Sequence, residues 1–107
     1  MRVFALKTCD SCRKALAQLR AAGRDPQVVD IRADGISDAD LGVILARFGD
    51  AAINRASATW RGLTEMEKTM DAVHLLRLHP TLLKRPVIED QGNWTQGWGP
   101  AVQKTWL

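Results

Sequence analysis

Two periods of apolar residues run along the chain, and the points where one gives way to the other mark its elements. Residues 2 to 6 are nearly all apolar, as in a strand covered on both faces. From about Ser11 the period lengthens: Cys12, Ala15, Leu16 and Leu19 fall at i, i+3, i+4 and i+7, the stripe of a half-buried helix. That helix should end near Ala22-Gly23, with Gly23 as a left-handed cap. Asp25-Pro26 reads as a turn and Gln27-Val28-Val29-Asp30-Ile31 as a second strand. The short links make a right-handed parallel βαβ unit the economical arrangement.

Ser37-Asp38-Ala39-Asp40 has the form of a capped helix start, followed by an apolar face of Leu41, Ile44, Leu45 and Phe48 and a possible stop at Gly49. Thr64-Glu65-Met66-Glu67 has the form of a capping box. Ala72, Leu75, Leu76 and His79 form another helical stripe, which Pro80 stops. Residues 37 to 83 are therefore expected to be mainly helical, an insertion within the α/β unit. Val87-Ile88-Glu89 and Trp94-Thr95-Gln96 read as a β-hairpin joined by Asp90-Gln91-Gly92-Asn93. Pro100 then opens a last short helix anchored by Val102 and Trp106. The pattern predicts an α/β (α+β) fold, βαβ then helical insertion then ββα, in one domain spanning residues 1–107.

Composition narrows the function classes. At 107 residues, 46% hydrophobic and 25% charged, the chain can build an ordinary core. A net charge of +3 is too small to argue for nucleic acid, though it favours anionic substrates. No apolar run reaches membrane-spanning length and Met1 leads straight into the first strand, so a soluble, cytoplasmic, monomeric protein is expected.

The chemistry gathers at Lys7-Thr8-Cys9-Asp10-Ser11-Cys12-Arg13-Lys14, which holds both cysteines. The pair lies where the first strand turns into the first helix, among unpaired amides and the positive helix end. With Lys7, Arg13 and Lys14 nearby, a thiol there should ionise below the usual value of roughly 8.5. Cys9, at the turn, is the candidate nucleophile, while Cys12 begins the buried stripe. Two other readings stay open: a structural zinc site completed by His74 and His79, whose sequence gap is long for a finger, or two inert buried thiols. A C-x-x-C pair at the first strand–helix junction of a βα-β, helix, ββα chain is the thioredoxin plan.

Several motifs together resemble one family. Thr8-Cys9-Asp10-Ser11-Cys12-Arg13-Lys14-Ala15 is similar to the active-site turn of the arsenate reductase (ArsC)/Spx family. His79-Pro80-Thr81-Leu82-Leu83-Lys84-Arg85-Pro86-Val87-Ile88 resembles its second signature. Asp30-Ile31-Arg32-Ala33-Asp34-Gly35 and Ala58-Thr59-Trp60-Arg61-Gly62-Leu63 resemble the small YffB-like branch, suggested to be glutathione-dependent thiol reductases. The resemblance implies that Cys9 is the nucleophile, that Arg85 contacts a bound oxyanion, and that Pro86 is cis against the thiol. Arg55 is a looser match to a second oxyanion arginine. A third arginine of the arsenate enzymes is replaced by Gln96-Gly97-Trp98-Gly99, with Trp98 expected either at the rim of the site or in the core.

The implied activity is a thiol-based reductase with Cys9 as nucleophile and Cys12 or glutathione resolving the intermediate. Arg13, Arg55 and Arg85 would hold an anionic substrate beside Pro86. Glutathione is the expected co-substrate; no metal, bound cofactor, nucleic-acid or membrane partner is expected. The alternatives are an Spx-like redox regulator that binds RNA polymerase, and a true arsenate reductase.

Overall fold

Four short strands form one mixed sheet in the computed structural model, which describes residues 1–107. They are β1 (Arg2–Ala5), β2 (Gln27–Asp30), β3 (Val87–Asp90) and β4 (Asn93–Gln96), in the order β2-β1-β3-β4. β1 runs parallel to β2 and antiparallel to β3, and β3 pairs with β4 as a hairpin. The hairpin turn uses Gln91 and Gly92 at φ 51° and 80°, the double positive φ of a type I′ turn, for which glycine is well suited.

Helix α1 (Asp10–Ala21) connects the parallel pair. It ends as expected at Gly23, where φ is 81°. Arg24 N–H reaches Leu19 O at 3.0 Å and Gly23 N–H reaches Arg20 O at 3.0 Å, the bond pair of a Schellman cap. Strand alternation sends Val3, Ala5 and Ile88 to one face of the sheet. They bury there with Cys12, Ala15 and Leu19 of α1 and Trp106 of α5 (Pro100–Trp106). Each buried indole finds a partner: Trp106 Nε1 donates to Thr95 Oγ1 at 2.8 Å and Trp98 Nε1 to Gln18 Oε1 at 2.9 Å. On the other face Phe4 stacks with Trp94 at 5.9 Å, and the Arg2 guanidinium lies over both rings.

The chain divides into two compact units: Met1–Asp34 with Arg85–Leu107, which is the sheet unit, and Gly35–Lys84, which is helical. The helical unit holds α2 (Asp38–Phe48), α3 (Ala58–Arg61) and α4 (Ala72–Leu78), with 3-10 turns at Gly49–Ala52, Glu67–Thr69 and Pro80–Leu82. Each of its three α-helices starts with a side-chain cap. Ser37 accepts from Asp40 N–H at 3.1 Å, Ser57 from Trp60 N–H at 3.2 Å, and Asp71 from His74 N–H at 3.0 Å. Thr64 and Glu67 exchange both bonds of the capping box, at 3.0 and 3.1 Å. That box starts only a 3-10 turn, because Met70 is extended (ψ 153°) and Asp71 opens α4 afresh. No helix is long and apolar enough to cross a membrane.

Candidate active site

Cys9 is the N-cap residue of α1, in extended conformation (φ −90°, ψ 117°). Its N–H bonds to Leu6 O at 3.0 Å and its carbonyl accepts from Arg13 N–H at 3.0 Å, so the backbone on both sides of the thiol is fixed. The side chain is half-buried against the core that contains Cys12. Cys12 lies one turn further into the helix and is 1% exposed.

Sheet topology brings the next component. Because β3 is antiparallel to β1 and Val87 pairs with Phe4, the start of β3 lies at the end of β1 from which the Cys9 turn departs. Arg85 and Pro86 immediately precede β3; Pro86 is buried and the Arg85–Pro86 bond is cis. Arg85 is thereby carried to the thiol from far along the chain. Partial burial opposes ionisation of Cys9, but other groups outweigh it. The Cys12 backbone N–H faces the sulfur, the Cys12 thiol donates to it, and the Arg85 guanidinium adds a hydrogen bond and a positive charge. The Cys9 thiol is therefore held below its ordinary pKa. Cys12 moves the opposite way. Burial pushes its thiol up to about 12, and the neighbouring Cys9 adds to that, against the lowering effects of the Leu6 backbone and Arg85.

The basic residues flanking the pair are not the main cause of this difference. Arg13 is exposed and its Nη2 bonds Asp10 Oδ1 at 2.6 Å, along the outer surface of the helix. Lys7 and Lys14 are exposed. Arg55 belongs to the helical unit, where its guanidinium lies 5.1 Å from the Trp60 ring centroid and donates to Asp50 O at 3.2 Å. Of the two places expected for Trp98 it takes the core: it is 8% exposed, packed under α1, and adds no surface to a rim.

Gln96 is a feature whose state no local pattern announces. It pairs with Val87 across the hairpin, and Gly97 N–H donates to Pro86 O at 2.8 Å, so it stands next to the Arg85-Pro86 segment. Its Oε1 is buried without a hydrogen-bond partner. The side chain is neutral, so it brings no positive charge to an oxyanion here. The two histidines have other work: His74 Nδ1 is 2.7 Å from Asp71 Oδ1 and His79 Nε2 is 2.8 Å from Glu67 Oε2. No three Cys, His, Asp or Glu residues gather as a metal-holding group.

The ArsC family pattern matches residues 4–104, from the first strand into the last helix. The chain belongs to the ArsC family. This is a family of thiol-based reductases with a thioredoxin-like fold. An uncharacterized protein of Haemophilus influenzae is 37% identical over 95 residues, covering 84% of this chain and 83% of that one. The solved structure of the YffB protein superposes with a TM-score of 0.91 at 31% identity, over 99% of this chain and 97% of that one. This likeness sets the chain in the YffB-like branch. An arsenate reductase-related protein from Brucella melitensis gives a TM-score of 0.73 at 29% identity, over 98% and 92% of the two chains. Arsenate reductase from Vibrio cholerae, at 22% identity and a TM-score of 0.78, shares the fold.

Proposed function

We propose that this ArsC-family protein is a glutathione-dependent reductase of small mixed disulfides, with Cys9 as the attacking thiolate. The observation that carries this reading is the Cys9 sulfur itself, at a helix start and backed by the Cys12 N–H and the Arg85 guanidinium. The Cys9 thiolate attacks one sulfur of the substrate disulfide, the S–S bond breaks, and the departing sulfur leaves as a thiolate that takes a proton from water. Cys9 is left in a mixed disulfide. A glutathione thiolate then attacks that disulfide, releases Cys9 as the stabilised thiolate, and carries away the second half as a glutathione disulfide. Two electrons have moved from thiols to substrate, and Cys9 is regenerated.

Glutathione in solution is preferred to Cys12 as the resolving thiol. Cys12 is buried, and burial, the first cause of its high pKa, persists once Cys9 is capped. At pH 7 a thiol titrating near 12 is ionised only to the order of one part in 10⁵. Arsenate suits the site less well, although two structural relatives carry arsenate reductase in their names. A thiol–arsenate ester needs several donors around a growing charge, and removing one such donor commonly costs on the order of a hundredfold in rate. Next to the Arg85-Pro86 segment the chain instead has the neutral Gln96. A coupled assay with glutathione, glutathione reductase and NADPH tests the proposal, using a small mixed disulfide and arsenate in parallel. Turnover of the disulfide that disappears in Cys9→Ser, with arsenate at least a hundredfold slower, is expected. Comparable rates on both would refute the substrate assignment.

A further inference from the structure

A cleft opens beyond the carboxyl ends of the parallel strands β1 and β2, where ligands collect in sheets of this kind. It has a volume of about 250 Å³ and is lined by Leu6, Lys7, Thr8, Asp30, Arg32 and Ala33. A smaller apolar pouch of about 80 Å³ shares Leu6, Lys7 and Asp30 with it and is walled by Leu16 and Val28. The cleft is below the ~300 Å³ at which pockets hold whole drug-sized ligands, so it fits a fragment of a molecule. Thr8 directly precedes Cys9, so the cleft adjoins the segment that carries the reacting sulfur.

The charges around the cleft select among fragments. Asp30 Oδ1 accepts from the N–H groups of Arg32 and Ala33, both at 2.9 Å, and Asp34 Oδ2 accepts from Asp30 N–H at 3.0 Å. The loop after β2 is thereby locked, with the Asp30 carboxylate fixed among the residues that line the cleft. Lys7 and Arg32, both exposed and of opposite sign to Asp30, line it as well. A simple anion would meet Asp30 and a simple cation would meet Lys7 and Arg32. A zwitterion with ammonium and carboxylate on one carbon satisfies all three.

We propose that this cleft binds the free α-amino-acid head of the sulfur compound that reacts at Cys9, its ammonium on Asp30 and its carboxylate between Lys7 and Arg32. The γ-glutamyl end of glutathione has that head. That the ligand is a sulfur compound, and glutathione in particular, rests on the reductase reading above; the charge pattern stands without it.

The test uses S-methylglutathione, which cannot exchange disulfides, titrated into the full chain and followed by backbone amide NMR. Shifts centred on Lys7, Thr8, Arg32 and Ala33 are expected. A Lys7→Gln/Arg32→Gln variant should bind about fivefold more weakly, the scale of two exposed charge contacts. The N-acetylated ligand, which lacks the ammonium, should lose a similar factor. Shifts confined to Arg85–Gly97, no binding, or equal binding by the variant would each overturn the proposal. Failure of the reductase reading looks different: shifts at the cleft as stated, yet no glutathione-supported turnover. Strong turnover without those shifts would sink the cleft and leave the reductase.

Discussion

The outer and inner sides of the first turn of α1 carry the same residue type and give it opposite chemistry. On the outer side Cys9 meets the Cys12 N–H, the Cys12 thiol and the Arg85 guanidinium, and it ionises more readily than a free thiol. On the inner side Cys12, three residues on, packs with Ala15, Leu19 and Ile88 and is pushed up to about 12. The difference is one of neighbours and not of residue type. A single turn of helix thus separates a nucleophile from a core side chain, and the core side chain serves the nucleophile by donating to it.

The largest effect that should break this contrast is on Arg85. Arg85→Gln keeps a donor but removes the charge, and should lower disulfide turnover on the order of a hundredfold while moving the Cys9 titration upward. Steady-state rates and iodoacetamide labelling against pH report both. An unchanged labelling midpoint would mean that helix-end amides alone hold the thiolate.

Next comes the inner thiol, whose raised pKa makes a stability prediction with a definite sign. Unfolded, Cys12 loses its proton around 8.5, while in the fold it keeps it until about 12. Between those values the unfolded state binds fewer protons, so stability is complete below about 8.5 and falls as pH rises toward 12. The loss approaches about 1.4 kcal/mol per pH unit at most. Urea midpoints at pH 7.5 and 10 should therefore draw together in Cys12→Ala, which has no buried thiol to ionise at that position, relative to wild type. The same pH dependence in both proteins would contradict a buried neutral Cys12.

A smaller effect sharpens the comparison from the other unit. Asp71 caps α4 in the helical unit, and Asp71→Ala should cost about 1 kcal/mol by urea unfolding. Cys9 labelling should stay as in wild type. Altered labelling would show that the thiol's environment extends beyond Cys12 and Arg85. Smallest of all is Arg13→Gln. Its ion pair with Asp10 is exposed, so a labelling midpoint within a few tenths of a unit of wild type is expected.

Much of this was legible in the residues, for local reasons. The apolar run before Cys9, the i, i+3, i+4, i+7 stripe after it, Gly23, and the Gln91-Gly92 turn are all signals complete within a few positions, and each element stands where those signals put it. The capping box at Thr64 was readable too, but not that Met70 breaks the chain after one 3-10 turn. What local pattern could not supply was anything decided across the sheet. The short-range expectation assigned the lowered thiol to Lys7, Arg13 and Lys14, whereas antiparallel pairing of β1 and β3 delivers Arg85. Trp98 reads equally as rim or core because its partner, Gln18, lies 80 positions away. Gln96 was visible as a substitution, while its buried, unpartnered oxygen depends on the hairpin register.

The most direct test of the account is the rate of iodoacetamide labelling against pH, with the modified residue identified by mass spectrometry, on wild type, Cys9→Ser and Cys12→Ala. Wild type and Cys12→Ala should label at Cys9. The wild-type midpoint should lie below the ~8.5 of a free thiol, and that of Cys12→Ala should rise because the donating Cys12 thiol is gone. Cys9→Ser should stay essentially unlabelled up to neutral pH. Fast labelling of Cys12 in Cys9→Ser at pH 7, or a wild-type midpoint at or above 8.5, would contradict it.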